Sequence, residues 1–142
     1  MNEPLEKFLR ETLAQFQSET GTIHRLDAEK QLLHLVVQIG LPPHVAELVK
    51  IIPAGKGIAG QVVAENRPVT ICNLQADSSG VAKPGAKQTG VGGALCVPVR
   101  DGDKIVGTLG IGTVREHEYS PTEINSLLEL SQKLVEFFKI DP

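Results

Sequence analysis

The period of the apolar positions changes several times along this chain, and each change marks a predicted element. Leu5, Phe8, Leu9, Leu13 and Phe16 recur at helical spacing with charge between them. Pro4 suits a first helical turn, so a helix is expected to about Ser18, stopping before Gly21. Residues 22–27 and 31–38 then alternate as a hairpin that turns at Asp27-Ala28-Glu29-Lys30. Leu33, Leu35 and Val37 share one predicted face of its second strand, and Leu32, His34 and Val36 the other. Residues 40–43 break the pattern. A short helix over 44–50, an extended entry over 51–57, a helix over 58–66 and a strand over 69–73 follow. Residues 75–92, punctuated by Gly80, Gly85, Gly90 and Gly92, read as a long loop and a candidate lid.

The stretch from Gly93 to Thr113 organises the rest. GALCVPVR and KIVGTLGIGT flank Asp101-Gly102-Asp103, a strong hairpin signal. One face carries Leu95, Val97, Val99, Ile105, Leu109 and Ile111, all large and apolar. The other carries Ala94, Cys96, Pro98, Val106, Thr108, Gly110 and Gly112, mostly small. Neither face has a run of charge, so both are expected to be covered. The large face suits packing under helices. The small face leaves room for a close backbone or a ligand.

After the hairpin, Ser120-Pro121-Thr122-Glu123 forms a capping box with proline at the first helical position. The helix it opens carries Ile124, Leu127, Leu128, Leu134, Val135 and Phe138 on one side, widened by Leu130, Phe137 and Ile140. The order of elements is an α+β plan. An antiparallel sheet has the terminal helices on one face and the middle segments on the other.

The length of 142 residues fits one domain spanning 1–142. With 41% hydrophobic and 22% charged residues the chain is expected to fold without staples. A net charge of -3 argues against a nucleic-acid partner, and no apolar run is long enough for a membrane span. The charged, amphipathic N-terminus does not resemble a secretory signal, so the cytoplasm is the expected location. Cys72 and Cys96 sit in apolar runs and read as reduced core residues.

Candidate chemistry is sparse. Gly55-Lys56-Gly57 and Gly60 lack the Lys-Ser/Thr of a phosphate loop, so they read as backbone geometry at a helix entrance. His24, His34, His44 and His117 lack the spacing of a ligand pair and read as surface or hydrogen-bonded histidines. Lys83 and Lys87 read as solvated, and residues 115–118 as a solvated connection. No metal site is expected.

The block GKGIAGQVVAENRPVTICNL, the later GALCVPV, and IVGTLGIGT before a capped helix together resemble a GAF domain over nearly the whole chain. The resemblance implies a central antiparallel sheet with terminal helices on one face that often mediate dimers. It also implies a small-molecule pocket on the other face, under the helix of 57–66 and the loop of 75–92. The ligand-contacting residues it implies here are Ala59, Val63, Asn73, Ala94, Cys96, Thr108, Gly110 and Gly112.

Among GAF proteins the pattern is most similar to the free methionine-(R)-sulfoxide reductases. Their first motif cysteine falls on Ala59, their strand glutamate on Ala94, and their Asp-x-Asp on Gly110 and Gly112. Their loop cysteines have no counterpart in 75–92. Without a thiol there is no nucleophile, and without carboxylates the substrate ammonium has no partner. The bilin, cyclic-nucleotide and haem signatures of other GAF domains are also absent, so no cofactor is assigned. The expectation is a non-catalytic regulatory domain, with an unidentified small-molecule ligand and a homodimer through the terminal helices. The alternatives are a dimerisation or scaffold module with a vestigial pocket, and a divergent sulfoxide reductase.

Overall fold

The computed structural model describes residues 3–71 and 92–140. The strands β1 (Thr20–Asp27), β2 (Leu32–Ile39), β3 (Ile51–Pro53), β4 (Val69–Ile71), β5 (Gly93–Asp101) and β6 (Lys104–Thr113) form one antiparallel sheet. Their spatial order is β3-β2-β1-β6-β5-β4. The β5–β6 hairpin thus sits inside the sheet, with β1 on one side and β4 on the other. Helices α1 (Glu3–Phe16) and α4 (Pro121–Ile140) pack on one face. Helices α2 (Pro43–Leu48) and α3 (Gly57–Glu65) lie over the other. This is the α+β plan expected from the order of elements.

The large face of the hairpin makes the core. Leu95, Val97, Val99, Leu109 and Ile111 pack with Leu5, Leu9 and Leu13 of α1 and with Leu127, Leu134, Val135 and Phe138 of α4. Gly21 on β1 lets α1 approach, since a Cβ there would stand 2.8 Å from Leu9 and 2.9 Å from Leu13. Gly107 on β6 is more strongly required. A Cβ at that position would run into the His24 carbonyl of β1 and reach 2.9 Å from the Phe138 ring.

Two bulges correct the expected faces. The β1–β2 register shifts between Ile23 and His24, pairing Ile23 with Val37 and His24 with Leu35. Val37 therefore joins Ile23 in the helix-side core, whereas Leu33 and Leu35 share the face of His24. The β5–β6 register shifts beside Val99, which pairs with Gly107 while Arg100 pairs with Ile105. Val106 is the extra residue and packs against the helix-side core rather than the small face. Strict alternation assumes an unbroken ladder, and one inserted residue inverts every side chain beyond it. The entry over 51–57 likewise contains a sixth strand, β3, which pairs with β2 through Leu32, Leu33 and His34.

The capping box is formed in full. The Ser120 N–H donates to Glu123 Oε1 at 2.9 Å, and the Glu123 N–H donates to Ser120 Oγ at 3.1 Å. Glu123 Oε2 also meets His117 Nε2 at 2.9 Å, and His117 stacks edge-on to Tyr119. The 115–118 connection is therefore partly built into the fold rather than merely solvated. At the far end of α4, Arg25 donates to the Phe138 carbonyl at 3.1 Å and lies over its ring. A cation at a helix C-terminus complements the exposed carbonyls and the dipole.

Leu127, Leu134 and Phe138 are consumed by the protein's own core, and Leu128 is half-buried. A homodimer through the terminal helices would have to use the half-buried rim of Phe8, Leu128, Leu130 and Phe137.

Truncating Leu109→Ala should cost about 2–5 kcal/mol, because it opens a void between the sheet and both terminal helices. Ser120→Ala should cost about 0.5–2 kcal/mol through loss of the cap. Urea unfolding monitored by circular dichroism should rank the two in that order. Comparable losses would contradict the placement of Leu109 at the centre.

Candidate ligand-binding site

Three rungs of the sheet define the opposite face. Thr20 and Ala94 flank Gly112, Thr22 and Cys96 flank Gly110, and His24 and Pro98 flank Thr108. Paired residues on neighbouring strands share a face, so these nine residues form one strip. It is shallow at its glycine rungs. A Cβ at Gly110 would stand 3.1 Å from Thr22 Oγ1, 3.7 Å from Cys96 Sγ and 3.9 Å from Cys96 Cβ.

The roof comes from the chain between β2 and β4. Leu41, Val45, Leu48, Val49, Ile51, Ile52, Pro53 and Ile58 face the strip across a cavity of about 290 Å³. The glycine block builds the corner of that roof. Gly55 and Gly57 hold left-handed φ angles of 87° and 64°. Gly60 lets the helix close on the loop, where its carbonyl accepts from the Gly55 N–H at 2.8 Å. The reading of GKG-x-x-G as backbone geometry thus accounts for its residues. Beyond α3, Asn66 ends the helix in a left-handed conformation, and Arg100 Nε donates to its Oδ1 at 2.8 Å. This pins α3 to β5.

Of the residues expected at a ligand, Ala59, Ala94, Cys96, Gly110 and Gly112 line the cavity. Val63 does not line it. The phase of α3 turns Val62 to the sheet instead, where it packs with Val69 and Cys96, and leaves Val63 half-exposed. Thr108 does not line it either. It lies deeper on the same strip, fully buried, and its Oγ1 finds no conventional hydrogen-bond partner. Asn73 lies outside the described residues, as do Cys72 and all but Gly92 of the 75–92 loop.

Cys96 is fully buried, and burial pushes its thiol up to about 12, offset only in part by the Thr108 hydroxyl. It is therefore a protonated, unreactive thiol at neutral pH. Lys56, exposed at the start of α3, is the one charged side chain among the lining residues that are described.

The residue that sequence reasoning undervalued is His24. It lines the cavity yet is only 1% exposed. Its Nε2 meets the Val49 carbonyl at 2.9 Å, and its Nδ1 has no partner. Since a carbonyl can only accept, Nε2 carries the proton and Nδ1 presents a lone pair. Burial lowers the His24 pKa, the Val49 carbonyl opposes that shift, and His34 adds to it. The ring is thus neutral. The available signal was a histidine sharing strand parity with Thr20 and Thr22, although its partners became visible only once β6 was placed beside β1. Among the described residues no cluster of three His, Cys, Asp or Glu side chains could hold a metal. None of their helices is long and apolar enough to cross a membrane.

The profile of the GAF domain family matches residues 3–136. This chain belongs to the GAF domain family. Solved structures agree on the GAF fold. The GAF domain of an Acinetobacter phosphoenolpyruvate-protein phosphotransferase superposes with a TM-score of 0.73 at 20% identity, covering 90% of this chain and 75% of that one. The free methionine-R-sulfoxide reductase from Neisseria meningitidis, solved with its substrate, gives 0.76 at 19%, covering 94% and 74%. A domain assigned to a two-component sensor histidine kinase protein from Sinorhizobium meliloti gives 0.76 at 16%, covering 98% and 91%. GAF neighbours thus include both sensor proteins and reductases, and at these identities the likeness speaks to fold alone. Comparison with curated protein sequences finds no match.

Two outcomes follow from the burial of the site. The His24 pKa is lowered in the folded GAF domain, so the unfolded chain takes up that proton first. Its contribution to stability is full above the ordinary value of 6.5 and declines as pH falls below it. Unfolding free energies measured across this range should show a shallower acid-side slope in His24→Gln than in the unsubstituted protein. Cys96 should resist iodoacetamide at pH 7.5 until denaturant is added, as read by mass spectrometry of its peptide.

Proposed function

We propose that this GAF domain is a non-catalytic, cytoplasmic regulatory module that binds a small molecule between its small-lined sheet face and the α2–β3–α3 roof. The observation that carries this reading is the cavity of about 290 Å³, close to the lower end of ligand pockets in size. Its floor is formed by Thr20, Thr22, His24, Ala94, Cys96, Gly110 and Gly112, and aliphatic side chains dominate the opposite wall. A ligand that binds there stabilises the folded state by mass action.

The absence of a reactive group at the matching positions supports a role without catalysis. Ala59, Ala94, Gly110 and Gly112 stand where the similar reductases carry a thiol or carboxylates. Cys96, the one thiol among the described lining residues, is held protonated. The output passes through α1 and α4, which rest on the other face of the same strands. A weak homodimer through the rim of Phe8, Leu128, Leu130 and Phe137 is part of the proposal.

A metabolite screen by thermal shift should yield at least one compound that raises Tm. Ala94→Leu, which fills the floor of the cavity, should abolish that rise while keeping the fold by circular dichroism. A full response in Ala94→Leu would move the ligand elsewhere. Free methionine-(R)-sulfoxide should not be reduced at high protein concentration with excess dithiol, and turnover would restore the enzymatic reading. Static light scattering should give a mass that rises above 15.2 kDa with concentration. A constant monomer mass would remove the dimer.

A further inference from the structure

We propose that His24 is an acid-sensitive latch on the roof: protonation of its buried ring releases the Val49 carbonyl and opens residues 41–50 while the helix-side core stays folded. This goes beyond the proposed function and holds whether or not the cavity is filled.

The position of the ring comes first. His24 belongs to the cavity-side strip of β1 and is 1% exposed. Its Nε2–H donates at 2.9 Å to the carbonyl of Val49, the residue that follows α2. Its Nδ1 is closed off from water and has no partner among the described residues. Thr108 stands opposite on β6, yet its Oγ1 makes no bond to Nδ1.

This packing suits a neutral ring, which has one N–H for one carbonyl. A charged ring has two N–H donors. The second, on Nδ1, would be buried without an acceptor, and the charge would be buried with it. The added proton and the closed packing therefore exclude each other. The ring charges by gaining access to water.

The roof is the side that yields. β1 lies between β2 and β6, and its other face is closed by the core under α1 and α4. The 41–50 segment is held more lightly. Val45 is its one buried side chain. Besides the His24 bond, the Leu35 N–H donates to the Lys50 carbonyl at 2.8 Å, and the Leu41 N–H to Gln38 Oε1 at 3.0 Å. Opening such a segment costs less than loosening the core.

The surrounding charges do not favour a second proton on the closed ring. His34 of β2 opposes it. Cys96 of β5, pushed up to about 12, stays neutral. His44, Glu47, Lys50 and Lys56 of the roof are exposed, and Lys50 pairs with Glu47. Glu65 of α3 pairs with Arg67, and Arg25 of β1 turns away to the Phe138 carbonyl. Burial lowers the His24 pKa in the closed form, whereas an open ring recovers its ordinary value of 6.5. The open form thus takes the proton first. The closed form has its full advantage above 6.5 and loses it as pH falls below that value.

The test is backbone hydrogen exchange of the intact protein from pH 7 to pH 5, corrected for intrinsic exchange rates. Protection of the Leu35 and Val49 amides should fall by about fivefold to twentyfold over that range. The sheet-centre amides of Val97 and Leu109 should keep theirs. In His24→Gln, which retains a donor but does not titrate, the fall should disappear. In His34→Gln it should persist. Should His24→Gln fail to fold, NMR of ¹⁵N-labelled histidine in the unsubstituted protein decides, because the His24 ring should charge over the same pH range in which Leu35 loses protection. A ring that charges while Leu35 stays protected would overturn the latch. Constant protection at Leu35 and Val49 would do so too, as would a fall shared by Val97 and Leu109, which is global unfolding. A fall that survives in His24→Gln, or vanishes in His34→Gln, would assign the proton to another group and equally overturn the proposal.

Discussion

The β5–β6 hairpin has to satisfy two unlike neighbours with one backbone. Toward α1 and α4 it presents Leu95, Val97, Val99, Leu109 and Ile111, which bury their full volume. Toward α2 and α3 it presents Ala94, Cys96, Gly110 and Gly112, which occupy little. Successive residues of a strand face opposite ways, so each position that packs the core is followed by one that shapes the hollow. Stability is therefore concentrated on one face. The other face can stay open because removing its side chains does not thin the helix-side core.

The hollow also depends on what holds its roof. The segment from Leu41 to Gly60 buries Val45 completely. Discrete ties also fix it. β3 pairs with β2, the Leu35 N–H donates to the Lys50 carbonyl at 2.8 Å, and His24 holds the Val49 carbonyl from below. Arg100 fastens the end of α3 through both the side chain and the carbonyl of Asn66. Each tie is a hydrogen bond of modest net strength, so the roof is expected to open more readily than the core. Leu48 and Ile51, both more than half exposed, lie at the edge of this roof.

The catalytic question turns on side-chain chemistry rather than on fold. A structure so similar to a reductase and to sensor domains carries no information about which of them this chain works like. Among the described residues the thiol of the cavity, Cys96, is buried and held protonated.

Much was written in the residues themselves. Period-two alternation from Gly93 to Thr113 determined the hairpin, its two unequal faces and the placing of the terminal helices. The Ser120–Glu123 box determined where α4 begins, because capping is a contact among neighbours in sequence. Ala94, Cys96, Gly110 and Gly112 were legible as one small face of that hairpin by the same alternation, Ala59 came only from the resemblance, and all five line the cavity. The tertiary structure alone decided the rest. The bulges at Val36 and Val106 inverted faces that simple alternation assigns, since an inserted residue is defined only against a partner strand. The phase of α3 selected Val62 over Val63, because both have the same propensity and only the sheet beneath distinguishes them. His24 became a buried acceptor when β6 paired with β1 and Val49 came down over its ring. No local pattern encodes that, because desolvation is a property of what surrounds a group and not of the group.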